Sequence, residues 1–337
     1  MSYHILHLLS HQLQVRIELD QLRIKDRDTG EVRSVPLADV AVIVAAAPDT
    51  RITTAALRRM AELNVLLLVC NQKFEPVCIT LPYYRPTNTK LLRRQVKWTD
   101  EWKTAQWRQI ISAKVANQAA VLQTPERVHR LLRQIADRCA HPPPATPVAD
   151  LSRITETQRD AHRSWTPDAC ESRAARHYWK HFFKAFGNNE HRRQPRTREG
   201  INGLLDYGYA ILRTAVLRSL AAHGFIAALG IAHAAHAGSF ALADDLMEPL
   251  RPWIDLQLIQ YLKTTDEPDI KEWMPQAVQI LTHEVLMGRS RLRLLNAIDV
   301  YVRSFASAAT ENKPPPLNIP LLDQSATNHE KGTQSGL

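Results

Sequence analysis

Residues 13–24 read LQVRIELDQLRI, and this stretch sets the character of the first part of the chain. Apolar side chains alternate with polar ones along it, which is the two-residue period of a strand with one buried face. The apolar positions are Leu13, Val15, Ile17, Leu19, Leu22 and Ile24. Asp28, Thr29 and Gly30 then supply a hairpin turn before the next run. We therefore expect the chain to begin as β-structure.

The same character continues to about residue 81. Alternating valines begin at Val40, and the apolar segments 65–70 and 77–81 have the composition of further strands. Between them, Thr53 or Thr54 can cap a short helix. These segments predict a small β-rich domain over residues 1–82.

The pattern changes after two prolines, Pro82 and Pro86, because proline removes backbone donors and interrupts regular elements. We predict a linker over residues 83–92. From residue 93 to 309 apolar residues recur every three or four positions, as amphipathic helices require, and Gly224 is placed to end one of these helices. The predicted fold class is α+β, a small N-terminal β-rich domain followed by a larger all-α C-terminal domain. Residues 310–337 are rich in proline and polar residues, which predicts a disordered tail.

Composition narrows the classes of partner. The 337 residues contain 43 Lys and Arg against 34 Asp and Glu, a net charge of +9, which favours an acidic partner such as nucleic acid or anionic lipid. No apolar run is long enough to span a bilayer, and the N-terminal residues do not resemble a secretory signal. The four cysteines form no CxxC pair. We expect a cytoplasmic protein that does not enter a membrane.

Three segments place acidic or imidazole groups within helical, otherwise apolar sequence. In the first, Glu171 shares a helical face with Ala174 and Tyr178, which directs its carboxylate toward the interior. A buried carboxylate needs a partner, since an unpaired buried charge is costly. That partner is either a metal ion or an arginine, for which Arg173 and Arg176 are the candidates.

The second segment contains His233 and His236, each of which is either a metal ligand or a core histidine. In the third, Asp245 and Glu248 lie on one helical face and can address one cation; alternatively, these acids begin a helix that Asp244 caps. Two carboxylates and an imidazole suit Mg²⁺ or Mn²⁺.

A basic run follows the first of these segments. Residues 171–198 contain eight Lys or Arg against two acids, with aromatic residues between them. Such a run is either a solvated helix face or a surface that holds phosphates beside a metal site. The candidate DNA-binding residues are Arg173, Arg176, Lys180, Arg192, Arg193, Arg196, Arg198 and Arg251.

Several strings together resemble the CRISPR-associated integrases of spacer acquisition, the Cas1 family, possibly of type II. They are ESRAARHYW (171–179), GYAIL (208–212), LGIAH (229–233) and LADDLMEPLRPWID (242–255). QWRQIISAKVANQAAVL (106–122) resembles a helix found in many members. The resemblance covers roughly residues 4–305, in the family's order. One departure is Asp206, an acid where the family motif has an amide close to the DNA.

The resemblance implies that Glu171, His233 and Glu248 bind a divalent metal, Mg²⁺ or Mn²⁺, and that Asp245 is a further catalytic residue. It implies transesterification, in which a prespacer DNA end is inserted at a CRISPR repeat, with associated endonuclease activity. The β-rich domain would form a homodimer, and a Cas2 dimer would join two such dimers.

Two alternatives stand beside this hypothesis. The first is a transposon-encoded integrase of the same superfamily, for which we expect a further C-terminal DNA-binding module. The second is a non-catalytic DNA-binding scaffold, in which the acids are only helix caps and ion pairs.

Overall fold

The computed structural model describes residues 4–71, 76–80, 88–123, 125–142, 165–184, 192–194, 200–232, 240–288, 290–311 and 314–322. Within these ranges strands dominate as far as Thr80, and helices dominate from Thr89 onward. The predicted α+β class, with β-structure first and helices after it, is confirmed.

The first part of the chain forms two four-stranded sheets. Its elements are β1 (His4–Leu8), β2 (Leu13–Glu18), β3 (Gln21–Asp26), β4 (Val32–Pro36), β5 (Val40–Ala45), β6 (Arg51–Ile52), α1 (Thr54–Glu62), β7 (Leu66–Cys70) and β8 (Pro76–Thr80). One sheet has the order β4-β3-β2-β6 and the other the order β1-β5-β7-β8.

Most local predictions for this part hold. The exception is Leu19, an apolar position of the predicted strand pattern, which is 94% exposed because the chain turns at Leu19 and Asp20 between β2 and β3. Leu13, Val15 and Leu22 are buried on one face of the β2–β3 hairpin, as the alternating pattern requires. At the predicted turn, the Asp26 carboxylate accepts hydrogen bonds from the amides of Asp28 and Thr29, at 2.9 and 3.0 Å. Thr53 caps α1 through its hydroxyl, as expected for a threonine before a helix.

Strand β5 is buried along its whole length because it serves two cores. Ile43 and Ala45 face the core beneath the first sheet and α1, whereas Val42 and Val44 belong to the core of the helical part. Alternate side chains of a strand point to opposite faces. The sheet β1-β5-β7-β8 therefore joins the two parts of the molecule.

The rest of the described chain is mainly helical. The helices are α2 (Thr89–Gln95), α3 (Asp100–Val121), α4 (Glu126–Ala140), α5 (Pro167–Lys184), α6 (Gly200–His223), α7 (Ala241–Met247), α8 (Arg251–Leu262), α9 (Ile270–Gln279) and α10 (Leu294–Thr310). A 3₁₀ turn, Glu248–Leu250, joins α7 to α8. Gly224 follows α6 with φ +81°, as predicted. None of the helices in the described ranges is long and apolar enough to cross a membrane.

Two features differ from the prediction. Helix α2 starts inside the segment predicted as a linker, because the Asn88 side chain caps it by accepting a hydrogen bond from the amide of Leu91 at 3.0 Å. An antiparallel hairpin, β9 (Glu284–Met287) with β10 (Ser290–Arg293), also lies within the part expected to be all-α.

The prediction of disorder for residues 310–337 is wrong for residues 314–322, which we call the C-terminal strap. The strap is extended, and its Leu317, Ile319 and Leu322 side chains pack against the main core. Its backbone is held by side chains: Gln109 accepts from the amide of Leu317, and Ser304 accepts from that of Asn318, each at 2.9 Å. Residues 323–337 lie outside the described ranges.

Helices α6 and α8 approach closely at Gly208. A Cβ atom added there would lie 2.4 Å from Cγ2 of Ile254, well inside contact distance. Ile254 is fully buried, so it has little room to move. The glycine of the GYAIL string thus sets the distance between the two helices.

We expect Gly208→Ala to lower the melting temperature, because overpacking costs about 1–3 kcal/mol and outweighs the helix preference of alanine. Thermal unfolding followed by circular dichroism measures this. The control is the same change in an Ile254→Ala background, where the clash is gone. An equal loss in both backgrounds would contradict this packing argument.

Candidate functional site

Two of the acids singled out in the sequence meet at one cation. The Lys114 ammonium lies 2.5 Å from Oε1 of Glu171 and 2.5 Å from Oε2 of Glu248. These groups come from three places: Lys114 from the middle of α3, Glu171 from α5, and Glu248 from the 3₁₀ turn after α7. The two carboxylates thus converge on one point.

Local sequence explains how the acids come to point inward. Cys170 and Ala174 flank Glu171 and are fully buried, so α5 packs this side against the core. Glu248 is followed by Pro249, which interrupts the helix and turns the chain from α7 to α8. Glu248 is only 3% exposed.

The electrostatics favour the charged form of Lys114. Burial would lower the pKa of Lys114, but the Glu248 and Glu171 carboxylates outweigh burial and raise the pKa above its ordinary value. The Arg251 guanidinium adds a second cation, 2.8 Å from Oε1 of Glu248. Each oxygen of Glu248 therefore faces a positive charge.

Asp245 makes a different contact from the one its spacing suggested. Its Oδ2 accepts hydrogen bonds from the amides of Ile231 and Ala232, at 2.6 and 3.2 Å. Asp245 is fully buried. It fixes the backbone directly before His233, although His233 and His236 themselves lie outside the described residues.

The residues at this point fit a divalent metal in the chemistry of their donors. Two carboxylates, one fully inside the protein, surround a position that a cation already occupies, and hard divalent cations prefer such oxygen ligands. Within the described ranges no group of three His, Cys, Asp or Glu side chains comes together, and the third predicted ligand is His233. The acid Asp244, the alternative helix cap, instead pairs with Arg213 at 2.6 Å.

Helix α8 contributes a further buried carboxylate. Asp255 accepts hydrogen bonds from the hydroxyls of Tyr178 and Tyr209, at 2.6 and 2.5 Å. Burial raises the pKa of Asp255 to about 6, although both tyrosine hydrogen bonds and the charges of Arg193 and Arg251 lower it. This cluster joins α5, α6 and α8 at the level of the site.

The predicted DNA-binding residues divide into two groups. Arg176, Lys180 and Arg192 are exposed, and Arg173 is half-buried with its guanidinium 4.3 Å from the centre of the Trp165 ring. Arg193 and Arg251 instead make contacts within the protein. Arg196 and Arg198 lie outside the described residues.

Arg193 pairs with Asp206 and also donates to the Asn202 side chain at 3.0 Å. Its side chain is 8% exposed. The acid that departs from the family motif is therefore the partner of a buried arginine.

Lys114 and Asn117, both on α3, were not among the site residues predicted from the sequence. A sequence feature could have indicated them, because the apolar pattern of this helix is interrupted by polar residues. These residues are Gln106, Lys114, Asn117 and Gln118, and all four are buried in the structure. Polar groups in such positions need specific partners.

Comparisons with known proteins find similar sequences over most of the chain. The family model described as CRISPR associated protein Cas1 matches residues 6–273. A relative from Neisseria meningitidis serogroup C (strain 8013), named CRISPR-associated endonuclease Cas1, is 30% identical over 314 residues, which cover 91% of this chain and 93% of the relative.

Solved structures share the fold. A casposase bound to integration product has a TM-score of 0.72 at 18% identity, with 98% of both chains covered. A chain of a Cas6-RT-Cas1–Cas2 complex has a TM-score of 0.68 at 16% identity, with 94% of this chain and 36% of that chain covered. At these identities the likeness is one of fold.

We expect Lys114→Met to destabilise the protein in the presence of EDTA. The change leaves two carboxylates together without their shared cation, and breaking such a buried cluster costs about 3–5 kcal/mol. The like charges raise the pKa of one carboxyl in the folded variant, so stability is gained at low pH and lost as pH rises. Urea unfolding should therefore show that Lys114→Met lowers the free energy of unfolding less at pH 5 than at pH 7.5.

Lys103→Met is the matched control on the same helix, because Lys103 lies 3.8 Å from the exposed Asp100 carboxylate. A surface pair of this kind contributes little. Equal losses in the two variants would refute the bridging role of Lys114.

The raised pKa of Asp255 should make the stability of the protein depend on pH. Because its pKa of about 6 in the folded protein exceeds that of an unfolded aspartate, its contribution is present at low pH and is lost as pH rises through 6. Between pH 5 and 7.5 the unaltered protein should lose stability relative to Asp255→Asn, by a few kcal/mol at most, since one pKa unit corresponds to about 1.4 kcal/mol. Urea unfolding across this range measures the difference, with Asp266→Asn, at an exposed position between α8 and α9, as control. A difference independent of pH would contradict the prediction.

Proposed function

This chain belongs to the CRISPR-associated Cas1 family, and from that premise we propose that it inserts prespacer DNA into a CRISPR array by metal-dependent transesterification, with associated DNA endonuclease activity. The supporting observation is the convergence of Glu171 and Glu248, from two different elements, on one buried cationic position. We further propose that residues 93–309 are the catalytic domain.

In the proposed reaction, the 3′-hydroxyl oxygen of the prespacer bonds to a phosphorus at the repeat boundary while the bond to the leaving oxygen of the repeat strand breaks. Glu171, His233 and Glu248 would hold the metal, Mg²⁺ or Mn²⁺. When bound, it supplies charge stabilisation at the attacked phosphoryl group and the leaving oxygen.

The surrounding residues of the chain support this set. Arg251 orients Glu248 through their 2.8 Å ion pair, and Asp245 fixes the two amides that precede His233. Lys114 holds the Glu171 and Glu248 carboxylates together. Positioned groups of this kind lower the barrier by fixing the reacting atoms in line.

Helix α5 offers a surface for the DNA. Arg176, Lys180 and Lys184 recur every four residues and are all exposed, so they form a basic stripe on one face. The stripe begins about 8 Å along the helix axis from Glu171, at 1.5 Å per residue, and lies on roughly the opposite side of the helix, so DNA bound to it would have to curve around α5 to reach the site. We propose that it binds phosphates of duplex DNA, joined by Arg192 and by Arg173, Arg196 and Arg198, and that binding weakens as salt increases.

The proposed partners follow from relatives. We propose a homodimer formed through residues 1–82 and a larger complex with a Cas2 dimer in the cytoplasm, for which the similar fold in a Cas6-RT-Cas1–Cas2 complex is the support. The casposase bound to integration product supports DNA integration as the reaction class.

We expect Glu171→Gln, His233→Ala and Glu248→Gln each to reduce strand transfer of labelled prespacer DNA by at least about 100-fold, since several kcal/mol of charge stabilisation depend on the metal. Most duplex binding, measured by gel shift, should remain. Glu126→Gln, an exposed acid on α4, is the control and should keep full activity.

Wild-type rates in all three variants would refute the site assignment. An unaltered protein that binds DNA but shows no strand transfer with Mn²⁺ would instead be the non-catalytic scaffold.

A further inference from the structure

Helix α3 contacts the Glu248 turn at a second point, one turn beyond Lys114. The side-chain amide of Asn117 donates to the carbonyl of Pro249 at 2.7 Å. Pro249 directly follows Glu248, so this bond fixes the backbone from which Glu248 extends. Asn117 is 1% exposed, and its partners are therefore not exchanged for water.

The same side chain also holds the C-terminal strap. The Asn117 amide donates a second hydrogen bond to the carbonyl of Pro320 at 3.2 Å, and its oxygen accepts from the amide of Leu322 at 2.9 Å. Both N–H groups and the oxygen of one amide are thus used. Asn117 lies between the strap and the Glu248 turn and bonds to both.

We propose that Asn117 is a positioning residue that couples the C-terminal strap to Glu248, so that the docked strap keeps this carboxylate in its metal-binding orientation. The proposal rests on the proposed function, in which Glu248 is a metal ligand. Groups that orient a ligand without touching the metal commonly change metal affinity by about 10–100-fold when they are removed.

The strap has further anchors that do not involve Asn117. Gln109 and Ser304 accept from its amides, and Leu317, Ile319 and Leu322 pack against the core. The two hydrogen bonds, to Gln109 on α3 and to Ser304 on α10, hold the strap independently of Asn117. They allow the effect of a loosened strap to be separated from the effect of losing Asn117.

In the test, Mn²⁺ is titrated into variants of the full chain without DNA. Isothermal titration calorimetry measures the affinity of each variant for the metal. Asn117→Asp is nearly isosteric, but a carboxyl group has at most one proton to donate, so it cannot bond to both the Pro249 and the Pro320 carbonyl. We expect Mn²⁺ binding at least about tenfold weaker in Asn117→Asp.

Binding should also be weaker in Leu322→Pro, which removes both the N–H that donates to the Asn117 oxygen and the Leu322 side chain that packs against the core. Leu322→Ala, which keeps this N–H, is the control and should bind Mn²⁺ more tightly than Leu322→Pro. Ser304→Ala, which releases the strap amide of Asn318 alone, should bind Mn²⁺ as the unaltered chain does.

A measurement on the unaltered chain avoids any folding defect. Coupling is reciprocal, so Mn²⁺ should slow hydrogen exchange of the strap relative to EDTA, with the β2–β3 hairpin as the internal reference. Unchanged strap exchange together with unchanged Mn²⁺ affinity in a folded Asn117→Asp protein would overturn the proposal. If the unaltered chain binds no Mn²⁺, the proposed function fails instead, so the two failures are distinct.

Discussion

Two ionised carboxylates that share a buried position need a cation between them, and three elements of the helical part of this protein meet at such a position. Lys114 supplies the cation, and its location in the middle of α3 requires α5 and the turn between α7 and α8 to approach the same helix face. Arg251 balances the remaining oxygen of Glu248. The packing of three separate elements is thus tied to one charge arrangement, because a displacement of any of them would leave a buried charge without its partner.

A feature could be predicted from the sequence when the residues that determine it lie close together in the chain. The cap at Thr53 and the positive φ at Gly224 depend on residues within one turn, and both were correctly assigned. The inward direction of Glu171 followed from helical periodicity. Its bond to Lys114 did not, because that contact depends on how α3 and α5 pack.

The C-terminal strap was wrongly predicted to be disordered. Its prolines and polar residues have the composition of a disordered tail, and composition carries no information on distant donors and acceptors. The side chains of Gln109 and Asn117, 208 and 205 residues away in sequence from the residues they bind, hold the strap backbone together with Ser304 on α10. The basic run illustrates the same limit, since counting arginines did not distinguish the exposed Arg176 from Arg193, which pairs with Asp206 inside the protein.

The two faces of β5 affect how the protein unfolds. Ile43 and Ala45 belong to one core, whereas Val42 and Val44 belong to the other, so neither core is complete without this strand. The β-rich and helical parts of the sequence are consequently expected to unfold together rather than as two independent units. A helical fragment beginning after residue 82 would leave its apolar surface uncovered, and the loss of β5 would melt both parts in a single transition.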